Sequence, residues 1–418
     1  MRAPPFRFAP LPLSARRALC ALIALVFAAA ALSCAPMRPA TRVRVISPPP
    51  PQEAPLPQNG PPPAYEELPP PPIENSETQA VPSELPATPA PGMRIPAPPT
   101  SNLVALVLPL EEPAFARAAG AVRDGFLDAA NAAGKGGLCV VIPHARDGVV
   151  AAFETARAKG VRVAVGPLVR DDLRALALAN ADLPWTLALN QLDDGTPLPP
   201  AIYTFPLTVE SDGRTLARRA LANGFRSIDI VQGDSPLMKR LAASFATEWT
   251  KRGGAAPAVL RFDPAPEALT ALRRTLSHDP PDAVVLAVTG DHAALVKPFI
   301  GNIVAYASGL VFERPSPAVA RDLDGVRVVE IPWLLTPDAP AFANVQRRDY
   351  DSDALARLYA LGRDAFRIAD AFTDAPPERF ELDGATGHVS LGRDREFQRE
   401  GRIGVYRDGV LVPLDSTP

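Results

Sequence analysis

The chain has 418 residues, enough for roughly two or three domains, and 51 of them are proline, so part of it is not expected to form a packed core. Its formal net charge is −3, and four of its 43 basic residues lie within residues 1–33, where there is no acid. The remainder is therefore more acidic than the whole. This balance gives no electrostatic footprint for nucleic acid, whose binding needs clustered positive charge, and we expect no nucleic-acid partner.

Residues 1–33 have the pattern of a targeting segment. Four arginines precede the 16-residue apolar run ALCALIALVFAAAALS at residues 18–33. A positive segment followed by a short apolar one is typical of a secretory signal peptide. The alternative is a transmembrane anchor, which needs about 20 apolar residues, whereas more than half of this run is Ala, Ser or Cys. We predict a lipoprotein signal peptide over residues 1–33.

Cys34 stands at the end of the apolar run. The residues ALSC at 31–34 resemble a bacterial lipobox, although Ala31 stands where that motif usually has Leu. The alternative, Cys34 as a packing residue, would leave an unpaired thiol beside a proline-rich tail in an oxidising compartment. We predict that Cys34 is lipidated and becomes the first residue of the mature protein. Because Ala35, not Asp, follows it, we expect a lipid anchor in the outer membrane, facing the periplasm.

Residues 34–100 contain the predicted lipidated cysteine and a tether. Residues 35–100 hold 22 prolines in 66 positions. Proline fixes φ and lacks an amide hydrogen, so the segment cannot form the interior of a helix or a sheet. We predict a disordered, extended spacer rich in polyproline II.

From residue 102 onwards, apolar runs rich in β-branched residues alternate with helical patterns. Eight runs are predicted strands, most of them apolar throughout, as expected for parallel strands that helices cover on both faces. They are residues 103–110, 138–144, 161–168, 185–190, 227–234, 283–290, 302–309 and 326–335.

Three of the intervening segments show a clear helical period. The helix at 114–133 is predicted to bury a stripe of five residues, and so is the helix at 351–372; a third begins at Ser235-Pro236, a favourable cap, and ends at Gly253-Gly254. The first stripe is Phe115, Ala119, Val122, Phe126 and Ala130. The second is Leu355, Tyr359, Gly362, Phe366 and Ala369.

Repeated alternation of strand and helix predicts a doubly wound α/β protein. Residues 101–418 exceed one compact core, so we predict two Rossmann-like lobes with a cleft between them. The first lobe covers about residues 101–206 plus C-terminal segments that return to it, and the second covers about 207–330. Residues 381–414 alternate short apolar segments with glycine-rich turns, which predicts antiparallel hairpins.

No residue set with catalytic spacing stands out. The four histidines are scattered, and CxxC spacing is absent, so neither a metal nor a cofactor is expected. Cys139 lies within an apolar strand and is predicted to be an unreactive core residue. Asp291-His292 follows a strand end, and its structural interpretation is a helix N-cap followed by a solvated histidine. We therefore predict that the protein is not an enzyme.

The C-terminal ends of parallel strands are the usual ligand edge of such a fold. Ten residues are predicted to line the cleft on this basis, and as a set they carry little charge and have no arginine or aromatic clamps. They are Pro109, Leu110, Gly166, Pro167, Asn190, Gln191, Gln232, Thr289, Asp291 and Ser308.

Residues 102–415 resemble the C-terminal domain of the LppC/LpoA lipoproteins in a series of short stretches whose order and spacing extend over most of the region. The stretches include VALVLPL, AVRDGF (121–126), VGPLVRDDLRAL (165–176), LALN (187–190), ATEWTKRGG (246–254), LRRTLS (272–277), DAVVLAV (282–288), LDGVRVVEIPWLL (323–335), YALGRDAF (359–366) and LDGATGHVSL (382–391).

The resemblance implies a type I periplasmic-binding-protein fold. It also implies that the protein is an outer-membrane activator of a bifunctional penicillin-binding protein, a peptidoglycan synthase, with peptidoglycan as a further contact and a role in cell-wall synthesis. The best-known members carry a helical-repeat domain before this region, where this chain has the proline-rich segment. Two alternatives remain: a lipid-anchored receptor for an amino acid or small amide, and a cell-wall hydrolase.

Overall fold

A computed structural model describes residues 103–179, 181–313, 315–343, 345, 348–372 and 376–414. Within these ranges, no helix is both long and apolar enough to cross a bilayer. The predicted signal peptide and the predicted tether with Cys34 lie outside the described residues.

The first sheet consists of five parallel strands in the order β2-β1-β3-β4-β5. Successive residues of β1 point to opposite faces, so Leu106 and Leu108 enter one apolar core and Ala105 and Val107 the other. Both faces are therefore buried. The strands are β1 (Val104–Leu108), β2 (Cys139–Pro143), β3 (Val163–Val165), β4 (Trp185–Ala188) and β5 (Ile202–Thr204).

Three helices between residues 116 and 178 cover this sheet. We call the sheet and these helices the first lobe. α1 (Ala116–Ala132) contributes Phe126 to the core on one face. α2 (Val149–Ala158) and α3 (Arg170–Leu178) supply Phe153 and Leu173 on the other. A short 3₁₀ helix, Gly136–Leu138, leads into β2.

The second sheet has seven strands in the order β15-β14-β10-β9-β8-β6-β7. The five strands β6–β10 are parallel; β14 pairs with β10 in antiparallel orientation, and β15 pairs with β14 in antiparallel orientation. The strands are β6 (Ile228–Gln232), β7 (Val259–Arg261), β8 (Ala283–Ala287), β9 (Val304–Ser308), β10 (Arg327–Glu330), β14 (Arg402–Arg407) and β15 (Val410–Pro413).

Six helices accompany the second sheet and complete the second lobe. Leu216 and Trp249 of the first two pack on one face of the sheet, and Leu276 and Val296 of the next two pack on the other. The helices are α4 (Val209–Ala222), α5 (Pro236–Lys251), α6 (Pro266–His278), α7 (Gly290–Ile300), α8 (Gly309–Phe312) and α9 (Pro317–Asp322).

After β10 the chain returns to the first lobe. A helical turn, α10 (Pro332–Leu335), and a 3₁₀ helix, Pro340–Phe342, lead to α11 (Asp353–Asp370). α11 packs along α1, where the rings of Phe126 and Phe366 meet edge to face at 5.4 Å between centroids.

A three-stranded antiparallel sheet follows, formed by β11 (Glu381–Asp383), β12 (His388–Leu391) and β13 (Phe397–Glu400). Val389 and Phe397 of this sheet enter the core of the first lobe, whereas β14 continues into the second sheet. The predicted antiparallel hairpins at residues 381–414 are confirmed.

Each of the eight predicted strand runs contains a strand, but two details of the prediction are wrong. The run 326–335 is a strand only to Glu330, because Pro332 occupies the first position of α10, where its missing N–H is tolerated.

Phe115 precedes α1 and is 38% exposed, so it is not part of the buried stripe predicted for that helix. The short strands β5 and β7 were not predicted.

Candidate functional site

The carboxyl ends of β1, β3 and β4 bring six of the predicted cleft residues to one edge of the first lobe. Pro109 and Leu110 follow β1, and Gly166 and Pro167, joined by a cis peptide bond, follow β3. A Cβ on Gly166 would lie 2.1 Å from the carbonyl oxygen of Val107, and its φ is +119°, so only glycine fits there.

Asn190 links the loops that follow β3 and β4. Its Nδ2 donates to the carbonyl oxygen of Leu168 at 2.9 Å, and its Oδ1 accepts from the backbone N–H of Gln191 at 2.9 Å. Both side-chain groups therefore hold the loops in place, and Asn190 orders this edge of the sheet.

A cavity of about 300 Å³ opens at this edge. Its wall is apolar apart from Asn190 and Arg170, and the Arg170 guanidinium is engaged by Asp193 at 3.0 Å. The apolar side chains come from the strand-end loops and from both α1 and α11. They include Phe115, Ala118, Leu168, Leu189, Leu207 and Leu358.

Of the ten predicted cleft residues, Asn190 is the one that lines this cavity, and the four of the second lobe lie elsewhere. The Thr289 hydroxyl accepts from the backbone N–H of His292 and caps α7. Asp291 is an exposed residue of the first turn, so the expected cap at Asp291 is wrong. His292 is half-buried, with its ring centroid 4.5 Å from that of Phe262, and is not simply solvated. The backbone oxygen of Gln232 accepts from Phe262.

Ser308, at the end of β9, is buried in a polar cluster. It has no exposed surface, and its hydroxyl donates to Asp212 Oδ2 at 2.6 Å. Asp212 Oδ1 accepts from Arg399 Nη2 at 2.6 Å, and the same nitrogen donates to the carbonyl oxygen of Thr208. Burial raises the pKa of Asp212, and the adjacent Arg399 guanidinium and Ser308 hydroxyl oppose that rise.

A second buried ion pair lies beside the first. Arg357 of α11 donates through Nε and Nη2 to the two carboxylate oxygens of Glu330, at 3.0 and 2.5 Å. Glu330 Oε1 also accepts from the backbone N–H of Ile331. A Cβ on Gly309 would lie 2.2 Å from Glu330 Oε2, so glycine is required after Ser308 to admit the pair.

These two ion pairs connect the lobes. Asp212, Ser308 and Glu330 belong to the second lobe, whereas Arg357 and Arg399 lie on α11 and β13, which pack with the first. The ends of β9 and β10, a usual ligand edge, are thus occupied by the protein's own side chains. Truncating one partner of such a pair is costly, because it leaves a buried charge uncompensated.

The sequence interpretation described the rim as carrying little charge and missed these charges. Asp212 and Glu330 had a usable signal, since one lies in the first turn of a helix and the other ends a strand. Arg357 and Arg399 had none, because each is on an element whose position is set by the tertiary fold.

Two α/β lobes with parallel sheets, joined by crossing segments and an antiparallel extension, define a protein of the periplasmic-binding-protein class. Residues 97–276 and 271–409 match the family described as "LppC putative lipoprotein". The chain belongs to this family.

Two curated relatives are both named penicillin-binding protein activator LpoA. The chain is 30% identical over 304 residues to the one from Edwardsiella ictaluri and 28% identical over 309 residues to the one from Edwardsiella piscicida. These matches cover 62% and 63% of this chain but 44% of each relative. The chain therefore spans less than half the length of the curated relatives it matches.

Two solved structures share the fold. One, titled a putative branched-chain amino acid ABC transporter from Chromobacterium violaceum, is 32% identical, covers 72% of this chain and 99% of its own, and has a TM-score of 0.64. The other, the LpoA C-domain from Haemophilus influenzae, titled a regulator of PBP1A, is 21% identical, covers 75% of this chain and all of its own, and has a TM-score of 0.65. At 21% identity the second supports the fold alone.

Proposed function

We propose that the protein is a non-catalytic lipoprotein that binds and activates a peptidoglycan synthase of the bifunctional penicillin-binding-protein type. The observation that carries this proposal is the family match across both lobes, residues 97–409, together with the activator name of the curated relatives. The buried ion pairs at the ends of β9 and β10 support it, because they fill a usual ligand edge with the protein's own side chains and hold the two lobes together.

The test is a glycan-polymerisation assay with the cognate synthase. We expect the full chain to bind the synthase and to raise its rate of glycan polymerisation or cross-linking. A second sample, residues 103–414, shows whether the two lobes carry the activity without the N-terminal segment. Absence of both binding and stimulation with the full chain would reject the proposal.

The anchor is proposed to be lipid attached to Cys34, with the lobes facing the periplasm from the outer membrane and peptidoglycan as a further contact. Mass spectrometry of the mature N-terminus should find an acylated Cys34, and membrane fractionation should place it in the outer membrane. Cys34→Ser should release the protein into the soluble periplasmic fraction. A mature form that begins elsewhere and carries no acyl group would contradict the anchor.

A second candidate, a receptor for an amino acid or small amide, is favoured by the 300 Å³ apolar cavity at Asn190 and by the 32% identity to the Chromobacterium violaceum structure. Leucine, isoleucine and valine should then raise the melting temperature, since a ligand at 100 times its Kd stabilises by about 2.7 kcal/mol. Ala118→Trp would fill the cavity and abolish the shift, whereas Ala151→Trp, on the exposed side of α2, would leave it. No shift with the unmodified protein would reject this candidate.

A further inference from the structure

A groove of about 830 Å³ lies between the second sheet and the turns of the three-stranded sheet, away from the strand-end cavity at Asn190. Three arginines line it: Arg219 in the last turn of α4, Arg327 at the start of β10 and Arg402 at the start of β14. We call it the arginine groove.

The arginine groove has more positive charge than its own acids neutralise. Its two carboxylates are already engaged, since Glu400 Oε2 accepts from Arg218 at 3.2 Å and Asp383 Oδ1 lies 3.0 Å from His388 Nδ1. Among the described residues, neither Arg219 nor Arg402 forms an ion pair. Both side chains are exposed, on a chain whose formal net charge is −3.

The floor of the groove is rigid. Tyr306, fully buried on β9, accepts at its hydroxyl from Asn223 Nδ2 at 2.6 Å and from Arg327 Nη1 at 3.2 Å. The Arg327 guanidinium also lies 5.7 Å from the centroid of the Tyr306 ring. Arg327 is therefore held in place, whereas Arg219 and Arg402 are exposed, and the charge of Arg402 also contributes to lowering the pKa of Asp383.

The rest of the lining suits a polypeptide rather than a compact anion. Apolar side chains stand beside the arginines, and Pro413 among them is exposed. Arg219 lies at the C-terminal end of α4, where the helix dipole disfavours an anion, so an arginine fork must provide the attraction. The apolar residues are Pro332, Leu335, Ile403, Pro413 and Leu414.

We propose that the arginine groove binds an extended acidic segment of a partner polypeptide, with its carboxylates on Arg219 and Arg402 and its apolar side chains against the apolar lining. Because the groove is lined by β11–β12 residues on one side and by the second sheet on the other, such a segment would contact elements that pack with different lobes. The inference does not rest on the proposed function, since it concerns the chemistry of the groove and not the identity of the partner.

The probe is a fluorescein-labelled, end-blocked peptide that alternates Glu or Asp with Leu or Val, measured by fluorescence anisotropy with the full chain. We expect saturable binding that weakens as salt screens the charges. An otherwise identical peptide with Gln and Asn in place of the acids should bind at least tenfold more weakly. No saturable binding of the acidic peptide up to millimolar protein would overturn the proposal.

Two double variants with the same change of charge are compared, one inside the arginine groove and one outside it. Arg219→Glu with Arg402→Glu should weaken binding of the acidic peptide at least tenfold. Arg273→Glu with Arg274→Glu, two exposed arginines on α6 outside the groove, should change it less than twofold. Equal effects of the two pairs would mean that net charge alone drives binding, and displacement of the peptide by equimolar inorganic phosphate would mean a general anion site; either result overturns the proposal.

Discussion

At the scale of single residues, the two buried ion pairs constrain how the two lobes pack together. Arg357 and Glu330 form two hydrogen bonds with both side chains almost fully buried, so neither charge is compensated by water. Arg357→Met should cost about 3–5 kcal/mol of the free energy of unfolding, because it leaves the Glu330 carboxylate buried without its partner. Urea unfolding followed by circular dichroism measures the loss.

The control for that prediction removes both charges. Glu330→Gln combined with Arg357→Met retains an oxygen that can accept from the N–H of Ile331, and it should recover most of the stability lost in the single variant. If the double variant is as unstable as Arg357→Met alone, the ion pair is not the cause of the loss.

Cys139 gives a residue-scale prediction about pH. The thiol is half-buried, and burial, with a smaller contribution from Asp370, raises its pKa to about 11. Its thiolate is therefore scarce at pH 8, roughly 100-fold less abundant than for a thiol of pKa 9. Iodoacetamide should modify Cys139 slowly in the folded protein and rapidly after unfolding in guanidinium, as measured on the Cys139 peptide by mass spectrometry. Equal rates in both states would contradict the raised pKa.

At the scale of elements, the crossing of α1 and α11 depends on two glycines. A Cβ on Gly125 would lie 1.9 Å from the carbonyl oxygen of Tyr359, and one on Gly362 would lie 2.0 Å from that of Val122. Because backbone cannot move aside as a side chain can, Gly125→Ala and Gly362→Ala should each lower the free energy of unfolding by about 1–3 kcal/mol or more. Thermal or urea unfolding measures this.

Gly120 provides the matched control on the same helix. A Cβ there meets nothing within 4 Å, so Gly120→Ala should stabilise the protein by about 0.5–1 kcal/mol through the better helix propensity of alanine. A gain of stability from Gly125→Ala as well would show that the two helices are not in close backbone contact.

The elements predictable from sequence were those whose signal is local. Apolar runs such as residues 283–290 specify buried parallel strands, and Ser235-Pro236 specifies a helix start, since both act within a few residues. β5 and β7 have three residues each, as β3 does, but they lie between prolines rather than in a longer apolar run. Hydropathy alone predicts a strand over residues 326–335, but β10 ends at Glu330 because Pro332 begins α10.

The candidate sites were predictable only in part. Gly166, Pro167 and Asn190 could be placed from strand alternation, because the end of each parallel strand falls on the same edge. The ion pairs could not, since Glu330 and Arg357 are 27 positions apart and Asp212 and Arg399 are 187 apart. The arginine groove likewise joins residues from α4, β10 and β14, which only the completed fold assembles.

On the scale of the whole molecule, α11 and β11–β15 join the two lobes. We therefore expect both lobes to unfold in one transition. The chain's three tryptophans fall in different parts: Trp185 on β4, Trp249 on α5 and Trp333 on α10. In variants that retain one tryptophan and have Phe at the other two positions, the urea midpoint by fluorescence should equal the midpoint by circular dichroism. Separate midpoints for the Trp185 and Trp249 probes would mean that the lobes unfold independently.

The position of α11 and of β14–β15 along the chain also determines when folding can finish. A ribosome or an export channel releases a polypeptide from its N-terminus, yet the packing of α1 is completed by residues 353–370, and the edge of the second sheet is completed by residues 402–413. Neither lobe can close while the emerging chain still lacks its last segments. The same topology that ties the two lobes together therefore keeps the nascent chain open until it is nearly complete.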